Sequence, residues 1–281
     1  MRHTLLTSSH IGDLLILARD AGKGVMGIYD ETSKTNDGEV VGLDVSYKAD
    51  TSPVTAADML AHRIIVDGLS RITPDIPVVS EEDADSLLHR TPTGYFWLID
   101  PLDGTKEFIS HNGEFTINIA LIEDGAAVFG VVLAPCLDLL YWGGKEYGAF
   151  RDTGGVVESL VSIDLPAHQD RQVRVVASRS HMNGDTTQYI SRFGACELIQ
   201  AGSSLKFCRI AEGSADVYPR LGPTNEWDTA AAQAIVEAAG GQVRRLGGES
   251  LSYGKSEVLN PHFIATSARF EQVMQDKPEG T

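Results

Sequence analysis

The residues Tyr95-Phe96-Trp97-Leu98-Ile99 run without a break into Asp100-Pro101-Leu102-Asp103-Gly104-Thr105. A short continuous apolar run of large residues is the pattern of a strand buried inside a sheet. Carboxylates placed directly after it lie at the sheet's end, where the chain turns and where sites are built. Pro101 has no N–H to give to a ladder, which predicts that the strand stops there. Two carboxylates three residues apart in a tight turn can converge on one point, and the Leu102 carbonyl can face the same way. Carboxylate, carbonyl and carboxylate are the hard oxygen donors that magnesium prefers. Gly104 lets the backbone come close to a ligand, and Thr105 adds a hydroxyl. A helix beginning here would also turn free N–H groups toward a phosphate. Alone, the segment reads better as an ordinary Asp-Gly turn.

It is not alone. Glu81-Glu82 follow the apolar stretch Ile76–Val79, and Asp228 follows a Gly-Pro-bounded loop and opens an apolar helix. One such acid is usually a turn residue or a helix cap, but three call for a common cause. The composition agrees. Acids outnumber bases 39 to 23, for a formal net charge of -16. Nucleic-acid polymers demand the opposite balance. An acidic protein can still bind a small phosphorylated molecule if divalent cations lie between its carboxylates and the phosphate. Cys136, Cys196 and Cys208 are scattered and form no C-x-x-C pair, so neither a zinc knuckle nor a redox motif is present. No apolar run approaches the roughly 20 residues that cross a bilayer. The first residues lack the basic flank, apolar run and cleavage site of a secretory signal, and the expected location is cytoplasmic.

Periodicity predicts a helix from about Ile11 to Tyr29, a polar loop over 30–43, and a second helix from about Thr55 that ends at Thr73-Pro74. From Phe115 to Phe150 the pattern is that of an antiparallel meander, and residues 152–172 read as loop. The rest alternates: strand 173–178, a helix from about 182, strand 196–200, helix 204–212, strand 215–218, helix 228–239, and strands 242–244 and 263–266. The expected class is therefore α/β, an α+β N-terminal part over 1–165 followed by an α/β C-terminal part over 166–281, with the boundary near Pro166. Most of the acids fall in the first part and Asp228 in the second.

Four segments now carry a resemblance. WLIDPLDGTKEF resembles the first signature of the inositol monophosphatase superfamily, the lithium-sensitive, magnesium-dependent phosphomonoesterases. SPVTAAD (52–58), VVSEED (78–83) and NEWDTAAAQAIVEAAGG (225–241) resemble its aspartate motif, its glutamate pair and its second signature. They occur in the family's order and span most of the chain. The resemblance implies a layered α-β-α-β-α sandwich of the sugar-phosphatase type. It also implies two or three Mg2+ per active site, one held by Glu81, Asp100 and the Leu102 carbonyl, a second by Asp100, Asp103 and Asp228. Asp58 and Thr105 would orient and deprotonate the attacking water, and Glu82 would support the ligands around it. Attack would be direct and in line, without a phosphoenzyme.

SPVTAAD, NGEFT, GSSLKF and YPRLGPTN further resemble the bacterial 3′(2′),5′-bisphosphate nucleotidase branch. That branch converts adenosine 3′,5′-bisphosphate, a by-product of sulfate assimilation, to AMP and phosphate. The substrate side of the site would comprise Glu81, Leu102, Asp103, Gly104, Thr105, Ser178, His181, Ser203, Lys206, Tyr218, Arg220 and Asp228. Lys206 and Arg220 would meet the second phosphate, and His181 or Tyr218 the base. Two features depart from the branch: a longer loop at 30–43, and Glu226, an extra acid beside Asp228 that would alter the local field. Members of the branch are in some cases peripheral on the inner face of the membrane, and nothing in this acidic sequence speaks for or against that. The competing readings are a broader inositol or sugar phosphatase, which would ignore Lys206 and Arg220, a fructose-bisphosphatase-like enzyme, whose sugar-binding signatures are not evident, and a non-catalytic metal-binding module.

Overall fold

The computed structural model describes residues 5–34, 40–41, 45–47, 53–160, 172–178, 182–268 and 270. The chain opens with α1 (Ser8–Glu31), two short pairs β1 (Ser33–Lys34) with β2 (Val40–Val41) and β3 (Val45–Tyr47) with β4 (Pro53–Thr55), and α2 (Ala56–Ile72). Then come β5 (Val78–Ser80), β6 (Tyr95–Asp103), α3 (Thr105–Ile109), β7 (Thr116–Glu123), β8 (Ala126–Ala134), β9 (Leu139–Gly144), β10 (Gly148–Thr153) and β11 (Val156–Ser159). The last stretch holds β12 (Val173–Ser178), α4 (Gly184–Ser191), β13 (Cys196–Ala201), α5 (Leu205–Ala211), β14 (Val217–Arg220), α6 (Ala230–Ala238), β15 (Gln242–Arg245) and β16 (Phe263–Thr266).

The first large sheet has the order β11-β10-β9-β8-β7-β6-β5, antiparallel except for the parallel pair β5–β6. Its alternation sorts side chains onto two faces. Trp97, Ile99, Ile117, Ile119, Val131 and Leu133 join α1 and α2 in one core. Phe96, Leu98, Ala120, Ile122, Val132 and Ala134 join α5, α6 and the second sheet in another. The second sheet has the order β13-β12-β14-β16-β15. Val176 and Tyr218 belong to the shared core. Their strand neighbours Val175 and Val217 are buried on the opposite face, and α4 packs against β14. The layers therefore run helix, sheet, helix, sheet, helix, as expected.

The middle layer is tight. A Cβ at Gly130 of β8 would lie 2.0 Å from the Ala231 carbonyl oxygen, so glycine there lets the alanine-rich α6 come against the sheet backbone. At the far end of α5, the buried Glu212 carboxylate accepts hydrogen bonds from Tyr141 and Arg151 of the first sheet and from Arg209 and Ser214.

Three expectations change. The strand does not stop at Pro101; β6 continues to Asp103 through an irregularity. Residues 156–159, read as loop, form β11, an exposed edge strand whose outward valines give no alternation. The expected loop over 30–43 is in part regular structure: 30–31 belong to α1, and 33–34 and 40–41 form β1 and β2, while 35–39, 42–43 and Pro166 lie outside the described residues. Among the described residues, no helix is long and apolar enough to cross a membrane.

Candidate active site

Asp100 pairs with Asn118 and Asp103 with Thr116. Three steps on β6 thus oppose two on β7, a bulge of one residue. In an unbroken strand, residues three apart point to opposite faces. The extra residue brings Asp100 and Asp103 onto the same face as Asn118 and Thr116, the one turned toward α5 and α6. Pro101 lies in the bulge, where a missing N–H breaks no ladder bond.

Gly104 follows with φ 91°, and a Cβ there would lie 2.1 Å from Ser203 Oγ. Glycine is required on both counts. α3 starts at the next residue, so Thr105 is its first residue, and Thr105 Oγ1 lies 3.2 Å from Asp58 Oδ1 and 3.4 Å from the Leu102 carbonyl oxygen. Asp58 is placed by helix capping. Thr55 caps α2, and Asp58 reaches back to accept from Thr55 N–H at 2.8 Å and from its hydroxyl at 2.6 Å. Burial raises the Asp58 carboxyl above its ordinary range, while the hydrogen bonds from Thr55 and Thr105 pull the other way.

Oxygens of Glu81, Asp100 and Asp228 all lie within 4.8 Å of one another. Glu81 stands just past the end of β5, where its N–H bonds the Ile99 carbonyl, and Asp228 stands just before α6, its Oδ2 accepting from Asn225 N–H at 2.9 Å. Burial raises the Asp100 carboxyl well above the usual range, and Glu81, Asp103, Asp228 and Glu82 raise it further. Asp228 is raised for the same reasons, burial first and then Asp103 and Glu81. Buried like charges at this spacing are costly unless a cation joins them. Every donor is a hard oxygen, which fits a divalent cation of the magnesium or calcium type and argues against a soft one.

Asp103 is outside the tight group of three. Its Oδ2 faces Ser204 Oγ at 3.0 Å, Thr116 Oγ1 at 3.3 Å and Asn118 Nδ2 at 3.5 Å. Ser203, with φ 44°, donates from Oγ to the carbonyls of Asp103 (2.9 Å) or Glu114 (2.8 Å), and its own carbonyl accepts from Lys206 Nζ at 2.6 Å.

A cleft of about 380 Å³ opens over these groups. It is lined by Glu81, Asp100, Leu102, Asp103, Gly104, Thr105, Ser178, Ser203, Lys206, Tyr218, Arg220 and Asp228. Lys206 is buried, which pushes its ammonium down to about 8, against the upward pull of Asp103. Its Nζ lies 5.8 Å from the Tyr218 ring centre, so it covers one face of a ring already packed edge-on against Phe207. Arg220 donates to the Pro223 carbonyl, while its Nε is buried without a partner. Glu82 acts on Asp100 through its charge and does not line the cleft. His181 lies outside the described residues.

Glu226 does not touch the cleft. Fully buried, it accepts from the N–H groups of Gly254 and Lys255 and pairs with Lys255 Nζ and, at 3.6 Å, with Arg90 Nε. Its charge is taken up inside the fold, so the expectation that it alters the field at the site is withdrawn. Sequence reading missed Thr116 and Asn118. A signal existed: two polar residues at alternate positions of the apolar run TINIALI.

Residues 14–277 match the profile of the inositol monophosphatase family. The chain is 47% identical over 248 residues to the 3'(2'),5'-bisphosphate nucleotidase CysQ of Escherichia coli, covering 88% of this chain and 95% of that protein. It is 32% identical over 257 residues to CysQ of Haemophilus influenzae, covering 90% and 91%. Its fold superposes on the crystal structure of CysQ from Bacteroides thetaiotaomicron, a bacterial member of the inositol monophosphatase family, with a TM-score of 0.80, 38% identity, and coverage of 94% and 99%. The match spans most of the chain, and the chain belongs to the inositol monophosphatase family.

Proposed function

We propose that the protein is a Mg2+-dependent 3′(2′),5′-bisphosphate nucleotidase that hydrolyses adenosine 3′,5′-bisphosphate to AMP and phosphate in the cytoplasm. The observation that carries this reading is that one cleft is lined both by the acids Glu81, Asp100, Asp103 and Asp228 and by the cations Lys206 and Arg220. A substrate with two phosphates suits both sets, one phosphate meeting the acids through divalent cations and the other meeting Lys206 and Arg220 directly. The high identity to proteins named for that activity supports the same reading.

Glu81, Asp100 and the Leu102 carbonyl would hold one Mg2+, and Asp100, Asp103 and Asp228 a second. When bound, such cations polarise the phosphoryl group and make a water more acidic. The chain supplies the proton path. Thr105 Oγ1 takes a proton from the attacking water and passes its own to Asp58 Oδ1, already at 3.2 Å. The raised Asp58 carboxyl is a better acceptor than an exposed one. Lys206 and Arg220 place the second phosphate, and Ser178 and Tyr218 line the wall beside them.

Phosphate release from adenosine 3′,5′-bisphosphate, with Mg2+ and with Mg2+ removed by a chelator, tests this. The expected result is turnover that disappears with the cation. Turnover that survives chelation, or none with Mg2+, contradicts it.

A further inference from the structure

We propose that Ser204 is a positioning residue that sets the affinity of the site for divalent cation, by fixing the Asp103 carboxylate. This rests on the reading that Asp103 and Asp228 share a cation. Ser204 is buried, and its Oγ lies 3.0 Å from Asp103 Oδ2 and 2.9 Å from the Asp228 carbonyl oxygen. One hydroxyl therefore touches an acid residue from β6 and another from the threshold of α6.

Two local facts are hard to explain by folding alone. Ser204 occupies the N-cap position of α5, where a serine hydroxyl normally accepts an N–H of its own helix. It makes no such bond here; the hydroxyl is turned to the acids instead. Asn118, also buried, gives Nδ2 to Ser204 Oγ at 3.0 Å and to Asp103 Oδ2 at 3.5 Å, while its Oδ1 is left without a partner. A buried unpaired acceptor is costly. Both sacrifices serve one end: the polar groups of Ser204, Asn118 and Thr116 converge on Asp103 Oδ2. With that oxygen engaged, Asp103 Oδ1 remains for a cation, and the carboxylate cannot rotate freely. A hydrogen bond to an anionic acceptor is of the stronger kind, so the Ser204 proton goes to Asp103.

Calorimetric titration of Mg2+ into wild-type protein and into Ser204→Ala, without substrate, tests the proposal. Removing a group that orients a ligand typically costs ten- to a hundredfold in metal affinity, and a Kd raised by roughly that factor is expected. Activity of the variant should rise again as Mg2+ is increased, which a packing defect would not allow. Asn118→Ala should weaken binding in the same direction, and the double variant should lose less than the sum of the two. If Ser204→Ala does not fold, Asn118→Ala carries the test. Unchanged affinity in the variants, or full additivity, overturns the role of Ser204. Absence of Mg2+ binding by the wild type overturns the metal reading itself, and this inference with it.

Discussion

Asp103 shows how much of a site resides in the surroundings of one side chain. It is as acidic as its neighbours in the sequence, yet the fold holds it apart from Glu81, Asp100 and Asp228, with one oxygen engaged. Asp103→Asn preserves the shape and removes the charge. Loss of a catalytic cation forfeits several kcal/mol of transition-state stabilisation, so turnover should fall at least about a hundredfold. Circular dichroism should be unchanged, because removing one of several crowded carboxylates relieves repulsion. Near-normal turnover would sink the assignment. Lys206 makes a prediction in pH. Burial brings its ammonium down to about 8. Below that pH the charge is present to meet the second phosphate, and above it the charge is lost. The kcat/KM for adenosine 3′,5′-bisphosphate should therefore decline as pH rises through about 8. Lys206→Met should lower efficiency at pH 7 and lack that limb, because no charge remains to titrate. A variant with the wild-type pH profile would move the titration to another group.

The decisive element is the bulged strand β6. The sequence indicates that a buried strand runs into two acids, and that reading holds. It does not show how residues three apart can face the same way. Pro101 suggests an end, because its missing N–H is a local property, whereas the bulge depends on register with β7 and is fixed only by the pairing of Asp100 with Asn118 and Asp103 with Thr116. The helices were legible because amphipathic periodicity is local. β11 was not, since an exposed edge strand carries no burial pattern. Glu226 was misread for a related reason. Its neighbour Asp228 lines the cleft, but its own partners, Lys255 and Arg90, are distant in sequence. Removing one member of a buried ion pair leaves the others uncompensated, and Glu226→Ala should cost about 3–5 kcal/mol of stability. Denaturant unfolding checks it. A change below about 1 kcal/mol would mean that the cluster is not a clamp.

At the scale of the whole molecule, the two sheets share one core through α5 and α6, and that layer brings the residues of the cleft together. The first sheet supplies Glu81, Asp100 and Asp103. The middle helices and second sheet supply Asp228, Lys206 and Arg220. Charge is distributed accordingly: the chain is strongly acidic, yet the buried Lys206 and the half-buried Arg220 line the same cleft as the carboxylates. A general inositol or sugar phosphatase needs the acids only, whereas a bisphosphate nucleotidase needs the cations as well. The most direct measurement is therefore the ratio of kcat/KM for adenosine 3′,5′-bisphosphate to that for inositol 1-phosphate, in wild type and in Arg220→Ala. A charge-assisted hydrogen bond to phosphate contributes about 1.5–3 kcal/mol. The account predicts a wild-type ratio well above one, and a loss in Arg220→Ala of roughly ten- to a hundredfold on the nucleotide with little change on inositol 1-phosphate. Equal efficiency on the two substrates in the wild type, or an equal loss on both in the variant, would contradict it.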